Sequence, residues 1–172
     1  MALAGCSAGR QPLHFVCDTL IPLEELPMAS IQDSSGPQVR YTRLPGDLLG
    51  RYLAAGGPCD VALVANTPCM RQTLAARRPI AMQTWRTDTL VLAGGYGVVL
   101  VPSDGAPLGE WLKADLITGR PPIVALQPGA EVLYVQKGVA ASAVMLKTQA
   151  SAAGLPVLAE QPLPADAFSL MQ

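Results

Sequence analysis

The clearest pattern of hydrophobic positions is the run DVALVA at residues 60–65, which has almost no polar interruption. Such a run is typical of a strand that is covered on both faces of a parallel sheet. In the polar turn that follows, the Thr67 hydroxyl can cap a helix, and Pro68 suits the first helical position because its missing N–H would have no partner there. This junction therefore predicts a strand, a turn and a helix. In an open α/β sheet, ligands bind at the carboxyl ends of the strands.

Two further strand–helix pairs precede this junction. Residues 13–17 and 38–42 have the composition of short strands, and residues 20–31 and 48–55 carry apolar side chains at helical spacing. The alternation of strands and helices with short connections favours right-handed crossover units and a parallel sheet. We expect the strand at residues 60–65 to be central, next to 13–17, with 38–42 on the outer side of the latter.

The pattern beyond residue 69 predicts shorter elements. A helix is expected at residues 70–78, which would place Arg77 and Arg78 near its negative C-terminal end. Further helices are expected at residues 138–153, which are rich in Ala and Val, and at 165–171. Strands are expected at residues 80–82, 89–93, 98–101, 123–126, 132–135 and 156–158.

The composition of the chain argues against several classes of function. The chain has 172 residues, of which 50% are hydrophobic, enough for one domain or two small lobes with a core. Charged residues make up 15% and the net charge is -1, so neither a nucleic-acid backbone nor an acidic membrane surface is an expected partner. No apolar run reaches the ~20 residues that a membrane-spanning helix needs.

Metal and cofactor chemistry have little support in the sequence. The cysteines Cys6, Cys17, Cys59 and Cys69 show no C-x-x-C spacing, and His14 is the single histidine, so we expect no metal site and no cofactor. Cys17 and Cys69 would both follow strands in the predicted sheet. A disulfide between them is one interpretation, and two buried free thiols are the other, which we favour.

The N-terminal segment Leu3-Ala4-Gly5-Cys6 resembles the lipobox of bacterial lipoproteins, in which the cysteine is lipid-modified. A signal peptide needs a basic region and an apolar stretch before that point, and two residues precede the motif. Either the true start lies upstream, which implies a periplasmic protein anchored at Cys6, or the match is chance and the chain is cytoplasmic.

Three segments together resemble the first lobe of periplasmic molybdate-binding proteins, the substrate-binding components of ATP-driven importers. The segments are HFVCDTLIPLEEL from residue 14, VRYTRLPGDLLGRYLAAGGPCDVALVANTPCM from residue 39 and RTDTLVLAGG from residue 86. Thr19 and Leu20 match the family's Ser-Leu position, Gly46 matches a Gly/Ser turn, and residues 55–61 match an Ala-Gly-x-x-x-Asp-Val motif.

The resemblance implies a periplasmic-binding-protein-like α/β fold, with a parallel sheet, helices on both faces and an incomplete second lobe. It implies a tether or lipoprotein signal remnant at residues 1–11, a first lobe at 12–88, and a crossover with a partial second lobe at 89–172. The chain is then expected to end before it returns to the first lobe, so that a later family tyrosine has no counterpart.

The resemblance also implies a site, because the family holds its oxyanion with hydroxyls and backbone N–H groups at helix starts. The expected ligand is a small molecule, with molybdate and tungstate as candidates, and the expected partners are the membrane subunits of an ABC importer. The candidate ligand-binding positions, taken from this resemblance and from their places at strand ends and helix starts along one sheet edge, are Asp18, Thr19, Gly46, Asp47, Asn66, Thr67, Lys137 and Gly138.

Two of these residues depart from the family. The turn is Leu-Pro-Gly-Asp, without a serine, and Asp18 and Asp47 bring carboxylates to helix starts where an oxyanion would be repelled. One interpretation is that both aspartates stabilise helix N-termini. The other is a pocket for a neutral or cationic solute.

Three functions remain open. The leading one is a solute-binding protein without catalysis, and the second is a small enzyme with Cys17 or Cys69 as nucleophile near a helix start. The enzyme lacks a base, because His14 lies three residues before Cys17 on a strand and projects from the opposite face. The third is a truncated relative that binds nothing.

Overall fold

The structure is a computed structural model that describes residues 11–22, 26, 38–77, 81–125 and 129–172. Its strands, numbered along the chain, are β1 (Leu13–Asp18), β2 (Val39–Leu44), β3 (Val61–Ala65), β4 (Met82–Arg86), β5 (Thr89–Gly94), β6 (Val99–Val101), β7 (Pro122–Val124), β8 (Ser142–Leu146), β9 (Val157–Pro162) and β10 (Phe168–Met171). They form two five-stranded sheets, with the orders β2-β1-β3-β10-β4 and β7-β6-β8-β5-β9.

Helices flank both sheets. They are α1 (Gly46–Ala54), α2 (Pro68–Arg77), α3 (Pro107–Trp111), α4 (Glu131–Gln136) and α5 (Lys147–Ala152), with a 3₁₀ turn at Ala114–Ile117. The predicted fold class, α/β with sheets covered by helices, is confirmed. The predicted domain boundaries stay a prediction. The expected helix at residues 20–31 falls mostly outside the described residues; within them, Leu20 lies in a turn and Ile21 in a bend.

The parallel part of the first sheet agrees with the sequence pattern. β1 pairs in parallel with β2, from Leu13 opposite Val39 to Asp18 opposite Leu44, and with β3 on its other side. β3 is the central strand of the five, and Ala62 to Ala65 are fully buried. The apolar run and the short crossovers were thus sufficient to predict order and direction.

Two helices cover one face of this sheet. Leu49 and Leu53 of α1 and Met70 and Leu74 of α2 are buried in one cluster with side chains of β1 and β3. The Arg77 guanidinium, at the end of α2, donates to the carbonyl oxygens of Leu53 (2.8 Å) and Gly57 (2.7 Å). Arg77 therefore satisfies carbonyl groups at the C-terminal end of α1 and fixes the two helices side by side.

The C-terminal segment corrects the sequence analysis. Residues 165–171 were expected to form a helix, and the chain was expected to end before returning to the first lobe. Instead β10 inserts between β3 and β4 and pairs antiparallel with both. Phe168 is fully buried there. The four-residue strand has no local signal that competes with helix propensity, so its conformation is set by the two neighbouring strands.

Two other predictions in the second half are wrong for a similar reason. Residues 132–135 were expected to be a strand and lie in α4, because a short apolar run does not distinguish the two conformations. Residues 138–153 were expected to be one helix and contain β8 followed by α5. β8 is buried throughout, antiparallel to β5 and parallel to β6, so tertiary pairing overrides its Ala content.

The two sheets share one hydrophobic core. The largest buried cluster contains Phe15 and Leu63 of the first sheet together with Leu90 and Val144 of the second. Trp111 of α3 meets Phe168 of β10 edge to face, with ring centroids 5.7 Å apart. Separating the sheets would expose this core, so the contacts between them are part of the folded structure.

Candidate functional site

The parallel strands of the first sheet bring several polar groups to one edge. Asp18 ends β1 and Thr19 follows it, Gly46 begins α1 after β2, and Thr67 precedes α2 after β3. α3, from the second half of the chain, lies against this edge, because Pro107 approaches Gly46 and Glu110 contacts Thr67. The edge is therefore covered by the chain itself.

The start of α2 is capped in the way that the sequence predicts. Thr67 Oγ1 accepts a hydrogen bond from the Met70 N–H at 3.2 Å, and the Arg71 N–H donates to the Thr67 carbonyl at 2.9 Å. Pro68 occupies the first helical position. The cap fixes the rotamer of Thr67, so that its hydroxyl proton points away from the helix.

Glu110 takes the remaining donors at this helix start. The Thr67 hydroxyl donates to Glu110 Oε1 at 3.0 Å, and the Cys69 N–H donates to Glu110 Oε2 at 3.0 Å. A carboxylate with two donors at the positive end of a helix is stabilised by hydrogen bonding and by the helix dipole.

A cavity of about 340 Å³ opens beside this contact. Asp47 and Arg51 of α1, Thr73 of α2, and Glu110 give it polar and charged groups. The complete lining is Gly46, Asp47, Gly50, Arg51, Ala54, Thr67, Cys69, Met70, Thr73, Gly105, Pro107 and Glu110. This volume lies within the usual range for pockets that hold small ligands.

Asp18 is fully buried beneath the same edge. Its Oδ1 accepts the Leu20 N–H at 2.9 Å, and its Oδ2 has no partner with hydrogen-bond geometry among the described residues. Burial raises the pKa of Asp18 to about 7, although the Leu20 N–H and nearby Arg43 lower the pKa and Asp47 raises it further. Arg43 does not neutralise the carboxyl fully, because it donates to the carbonyl oxygens of Thr19 and Ile21.

The space above the start of α1 is much smaller. A cavity of about 20 Å³ lies there, with Asp18, Thr19, Gly46, Pro107 and Glu131 in its lining. A Cβ added to Gly46 would collide with the Pro107 ring and lie 2.8 Å from Asp18 Oδ2, so glycine permits the close approach of α3. Burial also raises the pKa of Glu131 above the usual range of a glutamate.

The other predicted site residues lie elsewhere. The Asn66 side chain is buried and donates to Asp166 Oδ2 at 2.9 Å, near the 3.7 Å ion pair between Arg71 and Asp166. Lys137 and Gly138 are exposed residues that follow α4, rather than preceding a helix as expected, and neither lines the two cavities above. Cys6 lies outside the described residues.

Three cysteines are described, and all have free thiols. Cys17 is buried and its pKa is raised, chiefly by desolvation, with Arg43 opposing this and Asp18 adding to it. Cys59 is half-buried and burial raises its pKa too. Cys69 is exposed and lines the larger cavity, so the expectation that both Cys17 and Cys69 are buried is wrong for Cys69.

Sequence reasoning missed Glu110 and Glu131, which approach the edge from the second half of the chain. Nothing near either residue in the sequence marks it, since neither lies in a recognisable motif. Among the described residues, no group of three or more His, Cys, Asp or Glu side chains is arranged to hold a metal ion. No helix in the described ranges is both long and apolar enough to cross a membrane.

The fold of this chain is similar to that of proteins with solved structures. No family model matches the sequence, and no curated protein matches it. Solved structures do match. The periplasmic molybdate-binding protein of Azotobacter vinelandii is 15% identical, with 92% of this chain and 84% of that chain covered and a TM-score of 0.65. The substrate-binding protein of an amino acid ABC transporter is 13% identical, with 93% and 85% covered and a TM-score of 0.60.

A regulatory domain shares the architecture. The CcmR regulatory domain of Synechocystis, in complex with 2-PG, is 10% identical, with 95% of this chain and 88% of that chain covered and a TM-score of 0.67. At such identities the likeness shows the fold alone. The fold resembles that of the substrate-binding proteins of ABC transporters, among them molybdate-binding and amino-acid-binding ones.

Proposed function

We propose that this protein is the solute-binding component of an ABC-type importer and holds a small ligand in the cavity that α1, α2 and α3 line. The observation that carries the proposal is the 340 Å³ cavity, because the starts of α1 and α2 and the end of α3 all line it. Ligands of open α/β folds bind at this edge of the sheet. The structural likeness to transport binding proteins supports the same function.

The charges of the lining favour a solute that carries a positive charge or a hydrogen-bond donor. Asp47 and Glu110 line the larger cavity with Arg51, while Asp18 and Glu131 line the smaller one. Molybdate and tungstate, the candidates from the family resemblance, would meet two carboxylates against one guanidinium. An amine or an amino acid, with a cationic group for Asp47 and an anionic group for Arg51, fits this lining better.

The same proposal covers location and chemistry. A binding component of an importer works in the periplasm and contacts the importer's membrane subunits; lipid anchoring at Cys6 belongs to this proposal as well. Binding without turnover is favoured over catalysis by Cys17 because the Cys17 thiol is buried with a raised pKa. A thiol of that kind carries little of the thiolate that a nucleophile needs.

Thermal unfolding in the presence of single solutes tests the proposal. The panel contains molybdate, tungstate, sulfate, the amino acids and simple amines. A solute at 100 times its dissociation constant adds about 2.7 kcal/mol to the free energy of unfolding, which raises the Tm by several degrees. We expect an amine or amino acid to do so, and Asp47→Asn to weaken its binding about tenfold, with Asp115→Asn on an exposed turn as control.

The exposed Cys69 thiol gives an independent readout, since it lines the cavity. A bound solute should slow maleimide labelling of Cys69 and leave labelling of Cys59 unchanged. If no member of the panel raises the Tm or protects Cys69, the solute-binding proposal is wrong. If oxyanions alone do so, the proposed ligand class is wrong.

A further inference from the structure

We propose that Glu110 is a built-in anion of the larger cavity: its carboxylate occupies the start of α2, excludes external oxyanions from that helix, and thereby selects against them. The proposal rests on the proposed function, because it specifies which solutes the same cavity takes. It concerns a specificity-determining residue that the sequence pattern does not reveal.

The hydrogen-bond donors at the start of α2 each have an acceptor within the protein. Pro68 has no N–H, the Met70 N–H donates to Thr67 Oγ1, and the Arg71 N–H donates to the Thr67 carbonyl. The donors that remain are the Cys69 N–H and the Thr67 hydroxyl. Glu110 accepts from both, with one oxygen for each at 3.0 Å. An external oxyanion at this helix start would therefore have to displace Glu110.

The position of Glu110 is fixed by its helix and not by the capping contact alone. Leu108 and Trp111, on either side of Glu110 in α3, are buried in the core that the two sheets share. The buried Gln161 side chain donates to the Trp111 carbonyl at 2.6 Å and accepts the Lys113 N–H at 2.9 Å. Buried side chains and hydrogen bonds thus hold α3 before and after Glu110. The Glu110 carboxylate is therefore pre-organised at the start of α2.

The start of α1 gives an oxyanion no alternative place. Pro107 covers Gly46, and the cavity of about 20 Å³ at that point is close to the space for one water molecule. Oδ2 of the fully buried Asp18 also lies against Gly46, and it has no hydrogen-bond partner within the ranges that the structure describes. In the larger cavity the carboxylates of Asp47 and Glu110 then outnumber the single Arg51 guanidinium, which is the reason for the proposed preference for cationic or donor-bearing solutes.

The test compares the unaltered chain with Glu110→Ala, Glu110→Gln and the control Glu160→Ala. Glu160 forms an exposed ion pair with Lys147 on the second sheet and does not line the cavity. Calorimetric titration with sodium sulfate and sodium molybdate is expected to show oxyanion binding at least about tenfold tighter in Glu110→Ala than in the unaltered chain, the effect of gaining one charge-assisted hydrogen bond. Glu160→Ala should bind like the unaltered chain.

Amide hydrogen exchange of Cys69, followed by NMR without ligand, reports on the contact directly. Exchange should be at least about tenfold faster in Glu110→Ala, whereas Glu110→Gln keeps one acceptor oxygen and should keep most of the protection. Equal oxyanion affinity in the unaltered chain and Glu110→Ala, or equal exchange rates, would overturn the proposal.

The outcomes also separate this proposal from the proposed function. If the unaltered chain binds a solute of the panel but Glu110→Ala gains no oxyanion affinity, the built-in anion is wrong and solute binding stands. If Glu110→Ala gains oxyanion affinity and the unaltered chain binds nothing, solute binding is wrong instead. Should Glu110→Ala fail to fold, Glu110→Gln carries the test, because it removes the negative charge that repels an oxyanion although it keeps one acceptor oxygen. Oxyanion binding by Glu110→Gln no tighter than by the unaltered chain would then overturn the proposal.

Discussion

Replacing Asp18 with asparagine should remove a large pH dependence from the stability of this protein. Asp18 is fully buried, one of its carboxyl oxygens has no hydrogen-bond partner in the described part of the chain, and its pKa rises from 3.8 to about 7 on folding. Between these two values the native state keeps a proton that the unfolded chain has lost. The native state therefore binds more protons, and raising the pH favours unfolding.

The size of the effect follows from the pKa difference. A shift of about three units corresponds to about 4 kcal/mol, which is fully present as a stabilising contribution near pH 4 and is lost as the pH rises through 7. Asparagine has almost the same shape as the protonated carboxyl and does not titrate. Relative to the unaltered protein, Asp18→Asn should gain about 4 kcal/mol in the free energy of unfolding between pH 4 and pH 8.

Urea unfolding followed by tryptophan fluorescence measures this difference, since Trp111 is buried in the shared core and Trp85 packs against it. The midpoint should shift without a change in the slope of free energy against urea. Asp115→Asn, which removes a carboxyl from an exposed turn, controls for the loss of one negative charge. Parallel pH profiles for the unaltered protein and Asp18→Asn would refute the reasoning.

Three further predictions concern single side chains. Gly46→Ala should destabilise the protein by about 1–3 kcal/mol in thermal unfolding, because the added methyl group would collide with Pro107. Gly50→Ala in the same helix is the control: its methyl group would lie 3.8 Å from the nearest atom, so the change should be neutral or stabilising. Thr67→Ala should lower the free energy of unfolding, measured with urea, by about 1 kcal/mol through loss of the helix cap. Thr67→Ser keeps the hydroxyl and should retain most of that stability; an equal loss in both variants would exclude the hydroxyl as the cause. Phe168→Ala should cost about 3–5 kcal/mol, measured in the same way, and a loss below 1 kcal/mol would show that this fully buried ring does not support the shared core.

The first half of the fold was predictable from local patterns in the sequence. The run at residues 60–65 predicted a central buried strand, and Thr67 with Pro68 predicted the helix start that the structure shows. Each of these inferences depends on residues within a few positions of one another. The parallel order of the first three strands was predicted from the alternation of strand and helix patterns along the sequence.

The second half was less predictable because its conformations depend on distant partners. β8 and β10 contain residues that also suit helices, and both become strands because each inserts between two others. The residues of the candidate site likewise include some that were predictable from local sequence and some that were not. Gly46, Asp47 and Thr67 follow strands of the first sheet and were placed near one edge from sequence, whereas Glu110 reaches Thr67 across 43 positions of the chain.

The insertion of β10 has a consequence for biosynthesis. In the first sheet β4 pairs with β10, and β3 has β10 on one side, so neither ladder can close before residues 168–171 have left the ribosome. During translation the nascent chain carries the open, apolar edge of β3, the kind of edge that recruits other chains into aggregates. Removing residues 168–171 would leave that edge of β3 permanently exposed.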